Sequence, residues 1–470
     1  MRRVDHDDSL PHAFLLLRQA ELDGGRLADV RIRDGVVVRV APVLERLPGE
    51  EVLDCEGGAV IPGLCDHHLH LHAMAAARSS VRCGPPRVRT AGELAAALRA
   101  AGPEENGWIR GTGYAESVAG DLDAAALDAV RPDVPVRVQH RSGALWVLNS
   151  AALAAIGACQ AAHPGIERDT AGHPTGRLWR ADDWLRDRLA LRALPSLAAV
   201  GQELLRHGIT AVTDATPDLN DAAITSVSDA MARGELPPRV HLLGVRLGAS
   251  IPPTPGLTIG PYKIVLADSG MLTYPELAEQ ISAAHEAGRP VAVHCVTLEA
   301  LVLLLAALRD TGTRPGDRIE HAGIVPADLI ADLAQLGVRV VTQPGFLPDR
   351  GDDFLRDLPV AEHGDLYRCG SLLRAGVPVA LSSDAPFGPV DPWAVMAAAA
   401  SRRTASGRIA GAAERVTFGA ALAAYLGSPD DPGGPPRRVA AGSPAGLIVL
   451  RMPFAELPGA PSPVRAVLAG

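Results

Sequence analysis

Four histidines fall within six positions of the stretch VIPGLCDHHLHLH, residues 60–72: His67, His68, His70 and His72, directly after an apolar run. His68 and His70 are two apart, so on an extended backbone they point to the same side. His67 has the opposite parity, and His72 lies beyond the expected strand. Further along, Lys263 stands in YKIVLAD, His294 closes PVAVH, His321 closes RIEH and Asp384 closes PVALSSD. Neutral imidazoles and a carboxylate gathered at strand ends are ligands that suit a divalent ion, Zn²⁺, Fe²⁺, Mn²⁺ or Ni²⁺, and residue types alone do not choose among them. Such an ion lowers the pKa of a bound water from about 15.7 toward 7. Asp384 beside that water is then placed to take its proton as a general base. The plainer reading of Asp384 is a helix N-cap, because Ser-Asp after a strand is a common helix start.

These side chains meet only if the strands that carry them lie side by side. Strand-like runs occur at AVIPGL (59–64), ITAVTD (209–214), RVHLLGV (239–245), YKIVLAD (262–268), PVAVH (290–294), RIEH (318–321), VRVVTQ (338–343) and PVALSSD (378–384). Between the later ones lie amphipathic helix candidates: TYPELAEQISAAHEAG, LEALVLLLAALRDTG and VPADLIADLAQLG. Several of these end at Gly, the usual C-terminal stop. Eight strands with helical crossovers specify an α/β protein with a (β/α)8 TIM-like barrel, over residues 60–434, whose strand ends converge on one rim. A doubly wound sheet would carry a Gly-rich phosphate loop after its first strand, where this chain has histidines.

Both chain ends read as short strands, with a hairpin signal at Asp34-Gly35. Residues 1–59 and 435–470 are therefore expected to build one composite β-sandwich domain. Residues 75–200, between the first and second strands, read as an inserted subdomain with its own strand VPVRVQH and helix NSAALAAIG.

The chain has 470 residues and a formal net charge of −9, which gives no electrostatic reason to expect nucleic acid or an anionic membrane as partner. Its six cysteines form no Cys-x-x-Cys pair, a usage that fits reduced thiols in a cytosol. The apolar run AFLLL near the start is too short for a secretory segment, which needs roughly 7–15 such residues. The expectation is a cytoplasmic protein acting on a small molecule, with no membrane partner.

PGLCDHHLH resembles the Pro-Gly-x-x-Asp-x-His-x-His signature of the amidohydrolase superfamily, and the rest resembles its family 3, the N-substituted formamide deformylase-like proteins. Further matching stretches are GWIRGTGY, NSAAL, HPTGRL, HGITAVTD, RIEHAGIVPADLIADLAQLGVRVVTQP and SSDAPFGPVDPWAVMAAAASRR, so the likeness runs from about residue 26 to 450. The resemblance implies a metal-dependent hydrolase. It assigns His68 and His70 to one metal, His294 and His321 to the fifth- and sixth-strand ligands, and Asp384 to both metal and attacking water. Lys263 matches a lysine that CO₂ can carboxylate to bridge two ions. An ammonium there would face a cation, so desolvation and repulsion should depress its pKa; the alternative is an unmodified lysine paired with Asp268 or another carboxylate.

The resemblance also implies substrate-contacting segments in the insert, represented by Tyr114, His140, Arg141 and Asn149, with Trp108 on the same wall. For each, packing or capping is the competing role. Asp66 reads as orienting a ligand histidine, and Cys65 and Cys295 as buried fillers. Three stretches depart from the family pattern: HCVTLEAL lacks a Gly-Asp after His294, HRSGALWVLNS lacks a second histidine, and SPAGLIVL has Gly446 for a usual aspartate. The reaction expected is hydrolysis of a non-peptide C–N bond in an N-formyl, N-acyl or cyclic amide. Alternatives are deamination of a heterocycle and an amidohydrolase-like barrel without turnover. Family habit also suggests a homodimer.

Overall fold

The computed structural model describes residues 14–189, 194–267, 270–460 and 463–468. The chain divides into two compact units, one of residues up to 71 with those from 197 onward, the other of residues 72–196.

In the first unit, strands Phe14–Leu22, Arg26–Arg33 and Val36–Ala41 form an antiparallel meander, and Glu51–Asp54 runs parallel to the first of them. Asp34 and Gly35 both take positive φ, 49° and 75°. A two-residue hairpin loop needs that conformation to match the twist of its strands. A second sheet joins Val60–Pro62 to Leu447–Leu450 and Val464–Leu468. Leu15, Leu17, Val30 and Ile32 from the start of the chain share one core with Leu447, Val449 and Leu468 from its end. Each such side chain contributes about 1.5–3 kcal/mol when fully buried.

The expected strand AVIPGL is thus two elements. Val60–Pro62 pairs with the C-terminal strands, and the histidine-bearing strand is Leu64–Leu69. Gly63 divides them: a Cβ there would lie 2.0 Å from Thr210 Oγ1, so only glycine lets the chain pass the neighbouring strand as it changes sheets.

All remaining strands of this unit pair in parallel. Leu64–Leu69, Ile209–Asp214, Arg239–Leu242 and Leu257–Ile259 form one sheet; Tyr262–Val265, Val291–Cys295, Arg318–His321, Arg339–Thr342 and Val379–Leu381 form another. Backbone hydrogen bonds join the two sheets along both edges: Lys263 N–H to the Leu243 carbonyl (3.2 Å) on one side, Asp384 N–H to His68 (2.8 Å) and His70 N–H to Ala385 (2.9 Å) on the other. Helices Tyr274–Glu286, Leu298–Thr311 and Ile330–Leu336 connect the later strands. Thr273 and Glu276 form a capping box at the start of the first, and Gly337 ends the third in the left-handed conformation. Leu277, Ile281, Leu301, Leu304 and Leu308 lie in one core with Val291, Val293, Ile319 and Val340 of the strands.

The second unit has a six-stranded sheet with strands Ile109–Tyr114, Val136–His140, Leu145–Leu148 and Pro174–Trp179 at its centre, flanked by Val81–Arg82 and Ile166–Arg168. Among the described residues no helix is long and apolar enough to cross a membrane.

Candidate metal centre

His68 lies inside its strand, fully buried, and His70 directly follows it. Asp384 follows Val379–Leu381, and its backbone N–H on the His68 carbonyl brings the two strands together at their carboxyl ends. Asp384 Oδ1 lies 3.2 Å from His70 Nε2 and 3.6 Å from His68 Nε2. One donor atom from each of the three residues falls within 4.8 Å of the others. The His321 ring centroid is 4.7 Å from that of His68, and the His294 centroid 4.5 Å from that of His321. The structure therefore brings all four histidines and Asp384 into one group, with His68, His70 and Asp384 as its tightest part.

The second nitrogens of these rings are held separately. His68 Nδ1 meets Glu320 Oε2. His70 Nδ1 lies 3.1 Å from Thr216 Oγ1, and His321 Nδ1 2.8 Å from Gln343 Oε1. The Gln343 amide nitrogen donates to the Val341 carbonyl and to Ser382 Oγ, so its oxygen is the atom that faces His321. A carboxylate and an amide oxygen only accept, so His68 and His321 carry their protons on Nδ1 and present lone pairs on Nε2. Burial keeps the imidazoles neutral: it pulls His68 down to about 3, His294 well below the ordinary histidine value, and His321 lower as well.

Among the buried polar atoms here that have no hydrogen-bond partner, two belong to candidate ligands. Asp384 Oδ1 is buried and unbonded despite its two histidine neighbours, and Lys263 Nζ is buried and unbonded on the adjoining strand Tyr262–Val265. Burial first of all draws the Lys263 ammonium down from 10.5 to about 8, against the attraction of Glu320 and Asp384. The partner expected from sequence, Asp268, lies outside the described residues. Lone pairs on neutral imidazole and carboxylate repel when they converge unless a cation lies among them. The donor set therefore fits a divalent ion.

Asp66 Oδ1 accepts from the backbone N–H of His68 (3.1 Å) and of Ser383 (3.2 Å), tying the two ligand-bearing strands together through the backbone. Burial pushes its carboxyl up to about 7. Cys65 and Cys295 are buried, and none of the six cysteines, all among the described residues, is in a disulfide.

The insert candidates sit in the second unit with partners of their own. Tyr114 is buried and its hydroxyl donates to the Gly120 carbonyl at 2.7 Å. Asn149 caps helix Ser150–Ala155: its side-chain oxygen accepts from the N–H groups of Ala152 and Val136, and its nitrogen donates to the carbonyls of Arg131 and Val134. These four bonds satisfy its amide and tie the helix start to the neighbouring loop and strand. Trp108 is likewise a core side chain. His140 contacts Glu116 Oε2 at 3.1 Å and Ser142 Oγ at 2.8 Å, and Arg141 N–H donates to the Tyr114 carbonyl at 2.7 Å.

Sequence reasoning missed Glu320, Arg318, Gln343 and Thr216. The alternation Arg318-Ile319-Glu320 held a usable signal: two opposite charges sharing one face of an otherwise apolar strand must pair if that face is buried.

The amidohydrolase family model matches residues 51–464. The chain belongs to the amidohydrolase family. It is 28% identical to the N-substituted formamide deformylase of Arthrobacter pascens, over 96% of this chain and 92% of that protein. It is 26% identical to the putative amidohydrolase YtcJ of Bacillus subtilis (strain 168), over 81% of this chain and 82% of that protein. Among solved structures, an uncharacterized metal-dependent hydrolase from Pyrococcus horikoshii OT3 has a TM-score of 0.74 at 20% identity, covering 96% of this chain and 99% of that one. The fold of this amidohydrolase is of the TIM-barrel α/β type, and the chain is a hydrolase.

Proposed function

We propose that this amidohydrolase cleaves a non-peptide C–N bond, an N-formyl, N-acyl or cyclic amide, with the aid of a divalent ion at the Asp384 site. In this reading the parallel strands close into one (β/α)8 barrel, and the two terminal sheets form a composite β domain. One observation carries it: the Nε2 atoms of His68 and His70 converge on a buried carboxylate oxygen that has no hydrogen-bond partner. His68, His70 and Asp384 would hold one ion, and His294, His321 and Lys263 a second. Zn²⁺ suits these donors best. Bound there, the ion would supply Lewis acidity to the scissile carbonyl and acidity to water.

The chain's own part is proton management and orientation. Asp384 is buried, so it takes the proton of the attacking water and delivers it to the departing nitrogen without exchange to bulk solvent. Glu320 and Gln343 hold the imidazoles that surround it. Burial weakens the hold of Lys263 on its proton, so the neutral amine that adds CO₂ is easier to form: its nitrogen lone pair forms the N–C bond, one N–H proton is released, and the resulting carbamate is an anionic oxygen ligand. The 28% identity to a formamide deformylase supports the choice of bond.

The test is Asp384→Asn. The variant should keep at least one of the bound ions of the wild type while hydrolysis of N-formyl and N-acyl amines falls about 10²–10⁴-fold, the worth of a positioned general base. Retained hydrolysis would remove Asp384 from the reaction. Ammonia release from aminated purines or pyrimidines, without cleavage of any formamide, would replace amide hydrolysis by deamination. Absence of turnover on both classes with metal bound would favour the inactive barrel.

A further inference from the structure

Glu320 is not among the ligands proposed above, yet its carboxylate stands on the Nδ1 atom of one of them, His68. It is fully buried on strand Arg318–His321, and its Oε2 reaches across to His68 Nδ1 on strand Leu64–Leu69. Its other oxygen, Oε1, accepts from Arg318 Nε, two residues earlier on the same face. Arg318 is itself almost wholly buried, and its NH2 group donates to the His67 carbonyl at 2.8 Å. Guanidinium, carboxylate and imidazole thus form one line across three consecutive groups, and the line ends at a nitrogen whose ring partner faces Asp384.

A buried ion pair is weak evidence for stability, since desolvating two charges offsets much of their attraction. Retention of one in the interior calls for another use. The neighbouring rings supply the contrast. At Nδ1, His70 and His321 hydrogen-bond to neutral oxygens, those of Thr216 and Gln343, while His68 does so to a carboxylate. A carboxylate on Nδ1–H fixes the tautomer, fixes the ring plane and raises the basicity of Nε2, the properties a ligand nitrogen needs.

We propose that Glu320, clamped by Arg318, is a positioning residue that holds His68 with its Nε2 lone pair toward the cation. The inference rests on the metal reading above. It has a consequence that a purely structural pair would not produce. In Glu320→Gln, Arg318 can be satisfied only by the amide oxygen, so the amide NH₂ turns to His68 Nδ1. The imidazole must then accept at Nδ1 and carry its proton on Nε2, which disables the ligand. Replacing Arg318 as well frees the amide to turn its oxygen toward His68 and restores the ligating tautomer.

The experiment measures Zn²⁺ affinity by competition with a chromophoric chelator, on the full chain, for the wild type, Glu320→Gln, Arg318→Met/Glu320→Gln and Arg318→Met/Glu320→Leu. The single variant should bind Zn²⁺ about 10–100-fold more weakly, the usual effect of losing such a support. The Met/Gln pair should recover most of that loss, and the Met/Leu pair should not. Should the single variant fail to fold around its stranded guanidinium, the two double variants decide alone, with the Gln form binding at least about tenfold tighter than the Leu form. Equal affinity in those two, or wild-type affinity in a folded Glu320→Gln, overturns the role of Glu320 and leaves the metal reading standing. A wild type that binds no Zn²⁺, Mn²⁺, Fe²⁺ or Ni²⁺ overturns both.

Discussion

Replacing Lys263 should stabilise the ion-free protein, the reverse of what removing a buried side chain usually does. Lys263 Nζ is buried without a hydrogen-bond partner, and burial lowers its pKa from 10.5 to about 8. Each pH unit between the two values is worth 1.36 kcal/mol, so holding the ammonium costs the folded, ion-free chain about 3 kcal/mol. Below pH 8 both folded and unfolded chains keep the proton and the whole cost is felt. Between 8 and 10.5 the folded chain has released it while the unfolded chain still binds it, so stability rises with pH and the cost fades. Lys263→Met keeps similar volume and removes the charge, together with its attraction to Glu320 and Asp384. The expected gain at pH 7 is about 1–3 kcal/mol. With about 2.1 cal/mol/K of unfolding entropy per residue, that gain raises Tm by about 1–3 °C for a chain of this length. Calorimetry on chelator-treated protein at one scan rate, at pH 7 and 9.5, measures it. At the higher pH the advantage should shrink by about 2 kcal/mol. A lower Tm for the variant at pH 7, or an unchanged difference at 9.5, refutes the reasoning. Adding Zn²⁺ should reverse the order, because the wild type gains more from binding than a variant short of one ligand.

Two further changes test architecture against function. Asn149→Ala removes four hydrogen bonds to backbone groups and should destabilise the second unit by about 2–4 kcal/mol in thermal melts, while kcat/KM for an N-formyl amine at 25 °C stays within about twofold; a large loss of kcat/KM in the folded variant would return the residue to the substrate. Arg402 is fully buried and donates to the carbonyls of Ala410, Tyr367 and Leu366. Arg402→Met strands those acceptors and should cost about 3 kcal/mol or more, read as a fall in Tm; no change in Tm would show that solvent or rearranged donors replace it.

Much of the frame was legible because period and punctuation agree. ITAVTD and RIEH match their strands residue for residue, and Asp34-Gly35 makes the turn that only left-handed conformations allow. Where the reading slipped, a long-range contact decided. AVIPGL is continuous and apolar, and nothing local shows that Val60–Pro62 must pair with residues 447–449, nearly four hundred positions away. The separate strand Leu257–Ile259 is not legible locally for a similar reason: three residues beside Gly260-Pro261 carry too little pattern to stand out. At the site, the ligand candidates were visible by residue type, whereas their supports were not. Thr216 and Gln343 are unremarkable in composition, and only the fold brings them to Nδ1 atoms 146 and 22 positions distant.

One feature of the site lies beyond any parity argument. Glu320 and His321 are adjacent on a strand, so alternation should send them to opposite faces. Both nonetheless face His68: Glu320 at its Nδ1, His321 with its ring centroid at 4.7 Å. The backbone resolves the conflict. His321 takes φ 73°, and the N–H of Ala322 donates to the Glu320 carbonyl at 3.0 Å, closing a three-residue turn with His321 at its centre. A turn of this hand is rare for a side chain with a Cβ and costs of order 1–3 kcal/mol. Ala322 at φ 45° and Asp384 at φ 52° repeat the left-handed geometry just past their strands. At His321 this conformation turns two successive residues toward a common centre. Three of the eleven non-glycine residues with positive φ among the described residues, His321, Ala322 and Asp384, stand at the carboxyl ends of strands that carry candidate ligands, and two of them are such ligands, which is strain that an arrangement gathering donors around a cation would contain.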